Sequence, residues 1–114
     1  MVGAKRVIII DDDQNILRIF ASLLQRKGYI VDIAASGKEA LEKLCKEQYD
    51  VALIDVMLPD ANGIDLLRSI PLSTKKIVIT GTETEENRRK ATSEGVDMYL
   101  LKPVKPEKLL EIIR

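Results

Sequence analysis

The chain has 114 residues, with 18 Lys plus Arg against 18 Asp plus Glu, 46% hydrophobic residues, 4% aromatics, one Cys and no His. That length suits one domain with one core, and zero net charge without Trp supplies neither the basic excess nor the stacking surface of a direct nucleic-acid binder. Without imidazole no Ser-His-Asp triad, Cys-His pair or His-ligated zinc site can be built, so any chemistry uses carboxylates, hydroxyls and amines.

The first apolar run, Val7 to Ile10, lies in a predicted strand over 5–10. It is followed by Asp11, Asp12 and Asp13, which excludes a signal peptide. Runs of four apolar residues fall far short of the ~20 that a membrane-spanning helix needs, so we expect no membrane association and a cytoplasmic location. A first helix follows: Ile16, Phe20, Leu23 and Leu24 recur at helical spacing, Asp13 is a natural N-cap, and Gly28 a stop. A second strand is read over 30–34. A second helix starts near Ser36, with Ala40, Leu41, Leu44 and Cys45 inward and Glu39 to Lys43 and Glu42 to Lys46 as outward pairs. On this reading Cys45, without a partner for a disulfide, is a buried structural thiol, which fits a reducing compartment.

The third strand, 51–55, ends in Asp55, and the turn formers Pro59, Asp60, Asn62 and Gly63 lead into a short helix with Ile64, Leu67 and Ile70 inward, closed by Pro71. A fourth strand is expected over 76–80. The fourth helix, in EENRRKATSEG, offers only Ala91 and small neighbours to a core, which makes it a candidate moving part. A fifth strand over 98–101 leads to Lys102-Pro103, and the last helix, begun by Pro106 or Glu107, buries Leu109, Ile112 and Ile113. It reaches Arg114 without a stop signal, so we expect 1–114 to be one domain with its last helix truncated, and a further domain after it in the natural protein is left open.

Strands alternating with helices predict an α/β parallel sheet, and the continuously apolar VIII, VALI and IVI suit strands covered on both faces. In such a sheet the loops after the strands converge at the carboxyl edge, where ligands bind. Strand one ends in Asp11 to Asp13, strand three in Asp55, strand four in Thr80 and strand five in Lys102. Singly, each has an ordinary explanation as a cap, a turn former or a β-branched strand residue. Jointly they make one acidic site with a hydroxyl and an amine. Like charges at ~4 Å cost on the order of 4 kcal/mol at an effective dielectric of about 20, so a cation is required; all-oxygen ligands suit a hard one, and few protein ligands with several waters suit Mg²⁺ better than Ca²⁺. A carboxylate beside such a cation, a Lys and a hydroxyl is equipped to attack phosphorus, with Asp55 as nucleophile.

VIIIDDDQ, LIDVMLPDANG, IVITG and YLLKP, in that order, are where the whole chain resembles the receiver domain of two-component response regulators. The resemblance implies a flavodoxin-like (βα)5 doubly wound sheet of order 2-1-3-4-5. It implies a phosphorylation-dependent switch rather than an enzyme, catalysing only its own phosphorylation and autodephosphorylation. Asp55 would be the phosphoacceptor, Asp12 a direct and Asp11 a water-mediated ligand of Mg²⁺, and the Met57 carbonyl a further metal contact. Thr80 and Lys102 match the residues that contact the phosphoryl group, Tyr99 the aromatic that turns inward on activation, and Lys102-Pro103 a peptide bond usually cis. Met57 and Thr82 occupy positions that modulate access of hydrolytic water; neither orients water with a carboxylate or amide, which implies slow autodephosphorylation. The implied partner is a sensor histidine kinase or histidine phosphotransfer protein, and the implied output passes through the fourth helix and fifth strand, with a phosphorylation-dependent homodimer left open.

Three other readings compete. Asp11-x-Asp13 has the nucleophile and acid spacing of haloacid-dehalogenase-like phosphohydrolases, although the chain is short for their further acidic motif and cap insertion. A flavodoxin-like cofactor binder would need a phosphate-cradling loop where three Asp stand. A degenerate receiver would lack a site residue, and all are present.

Overall fold

The computed structural model describes residues 5–114. Strands β1 (Arg6–Ile10), β2 (Ile30–Ala34), β3 (Val51–Ile54), β4 (Lys75–Thr80) and β5 (Met98–Leu101) form one parallel sheet of order β2-β1-β3-β4-β5. The expected (βα)5 topology is therefore present, with strand limits shifted by a residue: β1 starts at Arg6, β3 stops before Asp55, and β4 starts at Lys75. The helices are α1 (Gln14–Arg26), α2 (Gly37–Lys46), a 3-10 helix over Gly63–Ser69, α3 (Glu85–Ser93) and α4 (Pro106–Ile113), so the fourth helical segment is α3.

Side chains of a strand alternate between faces, and the core divides accordingly. Ile8, Ile10, Ala52, Ile54 and Val78 pack on one face with Ala40 of α2, Ile64 and Leu67 of the 3-10 helix, and Ala91 of α3. Val7, Ile9, Val51, Leu53, Ile77 and Ile79 pack on the other with Leu17 and Leu24 of α1 and Leu109, Ile112 and Ile113 of α4. Burying each such aliphatic side chain contributes about 1.5–3 kcal/mol, which holds β1, β3 and β4 rigid beneath the residues that follow them.

Caps fix where helices begin. The Asp13 carboxylate accepts from the N–H groups of Asn15 (2.9 Å) and Ile16 (3.3 Å), Ser36 Oγ from Glu39 (3.2 Å), and Thr84 Oγ1 from Asn87 (3.0 Å). Gly28, at φ 92°, follows α1 in the left-handed region that favours glycine.

Several local expectations are corrected. In α2, Gly37 and Ala40 are buried, whereas Leu41 and Cys45 lie a step round the helix and are exposed, so Cys45 is not a buried thiol. The Glu39–Lys43 and Glu42–Lys46 pairs do not form; Lys43 Nζ instead donates to the Ile33 carbonyl. In α1, Leu17 is buried, and Ile16, Phe20 and Leu23 are half-buried. The third helix is 3-10, held between the Asn62 cap and Pro71 by i→i+3 bonds such as Asp65 N–H to Asn62 O at 3.0 Å.

Asp60, read only as a turn former, ties the loop after β3 to α2: its carboxylate accepts from the N–H groups of Gly37 (2.8 Å) and Lys38 (3.0 Å). Those bonds hold its carboxyl below the usual range. The stabilisation is therefore present above the unfolded carboxyl range and lost as pH falls through the lowered folded value. Asp60→Ala is expected to lower the urea midpoint at pH 7, with the difference from the unsubstituted chain shrinking as pH falls below the usual carboxylate range, measured by circular dichroism.

Helix α3 buries only Ala91, as its sequence led us to expect. Charge pairs supply its remaining attachments: Lys90 to Asp65 (2.6 Å) and Arg68 to Glu94 (3.1 Å) join it to the 3-10 helix.

Candidate functional site

The residues that end β1, β3, β4 and β5 meet at the carboxyl edge. Asp11 and Asp55 are almost fully buried there, and Asp12 is exposed. One carboxylate oxygen from each of the three lies within 4.8 Å of the others. Lys102, from the far side of β4, brings Nζ to 2.9 Å from Asp11 Oδ2 and 3.1 Å from Asp55 Oδ2, donating to both. The Lys102-Pro103 peptide is cis, as the resemblance implies.

Burial and charge displace the titration of Asp55 and of Lys102. Burial, the largest influence on Asp55, pushes its carboxyl above the usual range; Asp11 adds to this, while Lys102 and the Met57 N–H oppose it. Burial also works against the Lys102 ammonium, but the hydrogen bonds and charges of Asp11 and Asp55 outweigh it and raise its value. Two buried carboxylates thus face one ammonium. Asp12, open to solvent beside them, completes an all-oxygen cluster whose unbalanced charge and hard donors fit a small divalent cation.

Asp55 is fixed by a neighbour that the sequence marked only as a turn former. Gly63, the first residue of the 3-10 helix, lies so close behind it that a Cβ there would stand 1.9 Å from the Asp55 carbonyl oxygen. Its N–H donates to the Val56 carbonyl at 2.8 Å, locking the loop under the acid. Met57 is exposed and donates its N–H to Asp55 Oδ1 at 3.4 Å, a long contact.

Thr80 is fully buried; its Oγ1 accepts from the Thr82 N–H (3.1 Å) and donates to the Thr82 carbonyl (3.2 Å). Tyr99 packs against the core face that carries α3, and its hydroxyl is buried without a hydrogen-bond partner among the described residues. Leaving such a group unpaired costs about 1–3 kcal/mol. The Arg88 guanidinium lies over the ring, 4.7 Å from its centroid, a contact worth roughly 0.5–1 kcal/mol at an exposed site. The hydroxyl thus sets a cost against the packing and the cation–π contact that hold the ring.

Asp13 stands apart from the cluster. Its carboxylate is committed to capping α1, and only its N–H reaches the site, donating to Asp11 Oδ1 at 2.9 Å. The reading of Asp11 and Asp13 as the pair of a phosphohydrolase is therefore not supported.

Comparison with known proteins identifies relatives of the whole chain. A family model described as "Response regulator receiver domain" matches residues 7–114. The chain is 36% identical over 111 residues to the response regulator ArlR of Staphylococcus saprophyticus, an alignment covering 96% of this chain and 50% of that protein. It thus spans about half the length of this curated relative. A CheY-like receiver domain protein from Methanospirillum hungatei superposes with a TM-score of 0.95 at 40% identity, covering 97% of this chain and 91% of that one. A Burkholderia pseudomallei response regulator, solved with a phosphorylated aspartic acid, calcium ion and citrate, superposes at 0.89 with 27% identity, covering 96% and 66%.

Proposed function

The chain belongs to the response regulator receiver family, and from that premise we propose that residues 1–114 act as one receiver unit in which Asp55 accepts a phosphoryl group. The observation that carries this reading is the Lys102 ammonium bridging Asp11 and Asp55 at the carboxyl edge of the sheet. The donor is the phosphohistidine of a sensor histidine kinase or histidine phosphotransfer protein, and the chain supplies no histidine of its own. We place the protein in the cytoplasm, where such a donor presents its histidine, and a phosphorylation-dependent homodimer is one form its output can take.

An Asp55 carboxylate oxygen attacks phosphorus, the O–P bond forms as the bond to the donor nitrogen breaks, and the leaving imidazole keeps that electron pair. Lys102 holds its ammonium against the phosphoryl oxygens, and the Thr80 hydroxyl turns from Thr82 to donate to one of them. Asp11, Asp12, Asp55 and the Met57 carbonyl would hold Mg²⁺, which when bound neutralises charge on the phosphoryl oxygens. Once Thr80 has turned, Tyr99 and the face formed by α3 and β5 rearrange. Shifting such an equilibrium from 1:99 to 99:1 takes ~5.5 kcal/mol of differential interaction, within reach of a few charge-assisted hydrogen bonds.

Incubation with acetyl phosphate and Mg²⁺, followed by peptide mass spectrometry, tests the reading: one phosphoryl group on the peptide containing Asp55 is expected. No incorporation, or incorporation at Asp11 or Asp13, would overturn it. A second prediction concerns Lys102, whose ammonium competes with any divalent cation for the same two carboxylates. Lys102→Met should bind Mg²⁺ on the order of tenfold more tightly, read by calorimetry, while its labelling by acetyl phosphate slows.

A further inference from the structure

A chain of contacts joins the two residues proposed to switch. The Thr80 hydroxyl is engaged with the backbone of Thr82. Glu83, the next residue, receives Arg88 of α3: Nε donates to Oε1 at 2.5 Å, and Nη2 pairs with the same oxygen. The Arg88 guanidinium in turn covers the Tyr99 ring, whose hydroxyl is buried and unpartnered.

We propose that Arg88 is a positioning residue for the switch: anchored by Glu83, its guanidinium clamps the Tyr99 ring and sets how readily Thr80 leaves Thr82 for a phosphoryl group. The proposal rests on the reading of Asp55 phosphorylation given above. Thr80 cannot keep both bonds to Thr82 while donating to a phosphoryl oxygen, so its turn reorganises the segment 81–83 that carries Glu83. Arg88 then loses its anchor and the ring its cover. The clamp therefore belongs to the arrangement that competes with the phosphoryl contact, and weakening it makes switching easier. A planar guanidinium can lie flat over a ring and pair edgewise with a carboxylate at once, which an ammonium does less well. Arg89 offers an internal control, since its partner is Glu85 at 3.9 Å on the exposed side of the helix.

The full chain, labelled with 3-fluorotyrosine, carries the test, with the Tyr99 ¹⁹F resonance assigned through Tyr99→Phe. Arg88→Gln and Glu83→Gln should each shift that resonance in the ligand-free chain and lower the beryllofluoride concentration for half-conversion, in Mg²⁺, by roughly two- to five-fold. Combining them should add little to either alone, Arg88→Lys should fall between, and Arg89→Gln should change neither readout. An unchanged resonance and midpoint in Arg88→Gln would overturn the clamp, as would a Glu83→Gln variant that behaves like Arg89→Gln. If beryllofluoride produces no conversion in the unsubstituted chain, the phosphorylation reading fails, while the ligand-free resonance still decides whether Arg88 and Glu83 hold Tyr99.

Discussion

Asp55→Asn is expected to abolish incorporation of phosphoryl groups from acetyl phosphate while leaving the melting temperature at or above that of the unsubstituted chain. The amide keeps the shape of the carboxylate but is no nucleophile towards phosphorus at neutral pH, so the loss is complete rather than graded. The stability direction follows from linkage. Burial raises the Asp55 carboxyl, so what it contributes is fully present below the unfolded carboxyl range and lost as pH rises through the folded value. At neutral pH the ionised acid is the strained form, and a neutral isostere relieves its repulsion with Asp11. The substitution also replaces an anionic oxygen donor of the cation cluster with a neutral amide oxygen, so Mg²⁺ affinity should fall with it. Phosphoprotein gels and thermal melts of the two chains read both halves; residual labelling on another acid would remove Asp55 from its proposed role.

Gly63→Ala should be the most damaging single-methyl addition near the site. A Cβ there meets the Asp55 carbonyl oxygen at 1.9 Å, the Asp55 carbonyl carbon at 2.9 Å and Ile54 Cγ2 at 2.9 Å. Two of these are backbone atoms of the sheet's central strand end, so no rotamer change relieves the overlap. Relief requires the 3-10 helix to move away, breaking the Gly63 N–H bond to Val56 and unseating Ile64 and Leu67 from the core. Overpacking costs of about 3 kcal/mol are expected, equivalent to a fall of roughly 12 °C in melting temperature for a chain of this size. Because Asp55 shifts with its carbonyl, labelling by acetyl phosphate should fall in the same variant even where it remains folded.

The sheet was legible because burial on both faces leaves a strong mark: VIII, VALI and IVI could hardly be anything but covered strands, and β2 and β5 were found with their limits intact. The acidic group was legible because parallel topology sends every strand end to one edge, so Asp11, Asp12, Asp55 and Lys102 could be gathered without a structure. Gly63 was not, since a glycine needed for close approach and one needed for a turn read alike in PDANG. Arg88 and Glu83 were hidden in a charged run that resembles any solvated helix face, and only tertiary contact sets them over Tyr99. Leu41 and Cys45 misled because α2 is short and its buried stripe narrow, with Ala40 packed on the sheet, Gly37 against the loop after β3, and their larger neighbours turned outward.

The attachments of α3 carry a consequence for how the domain responds to salt. Its pairs to Asp65, Arg68 and Glu83 involve partly solvated side chains, whereas the Asp11 and Asp55 carboxylates are buried. Dissolved ions screen the first kind within about 8 Å at physiological ionic strength and the second kind far less. One fold therefore holds two electrostatic compartments: an acid pocket sheltered from the surrounding salt, and a helix whose grip on its neighbours loosens as ionic strength rises.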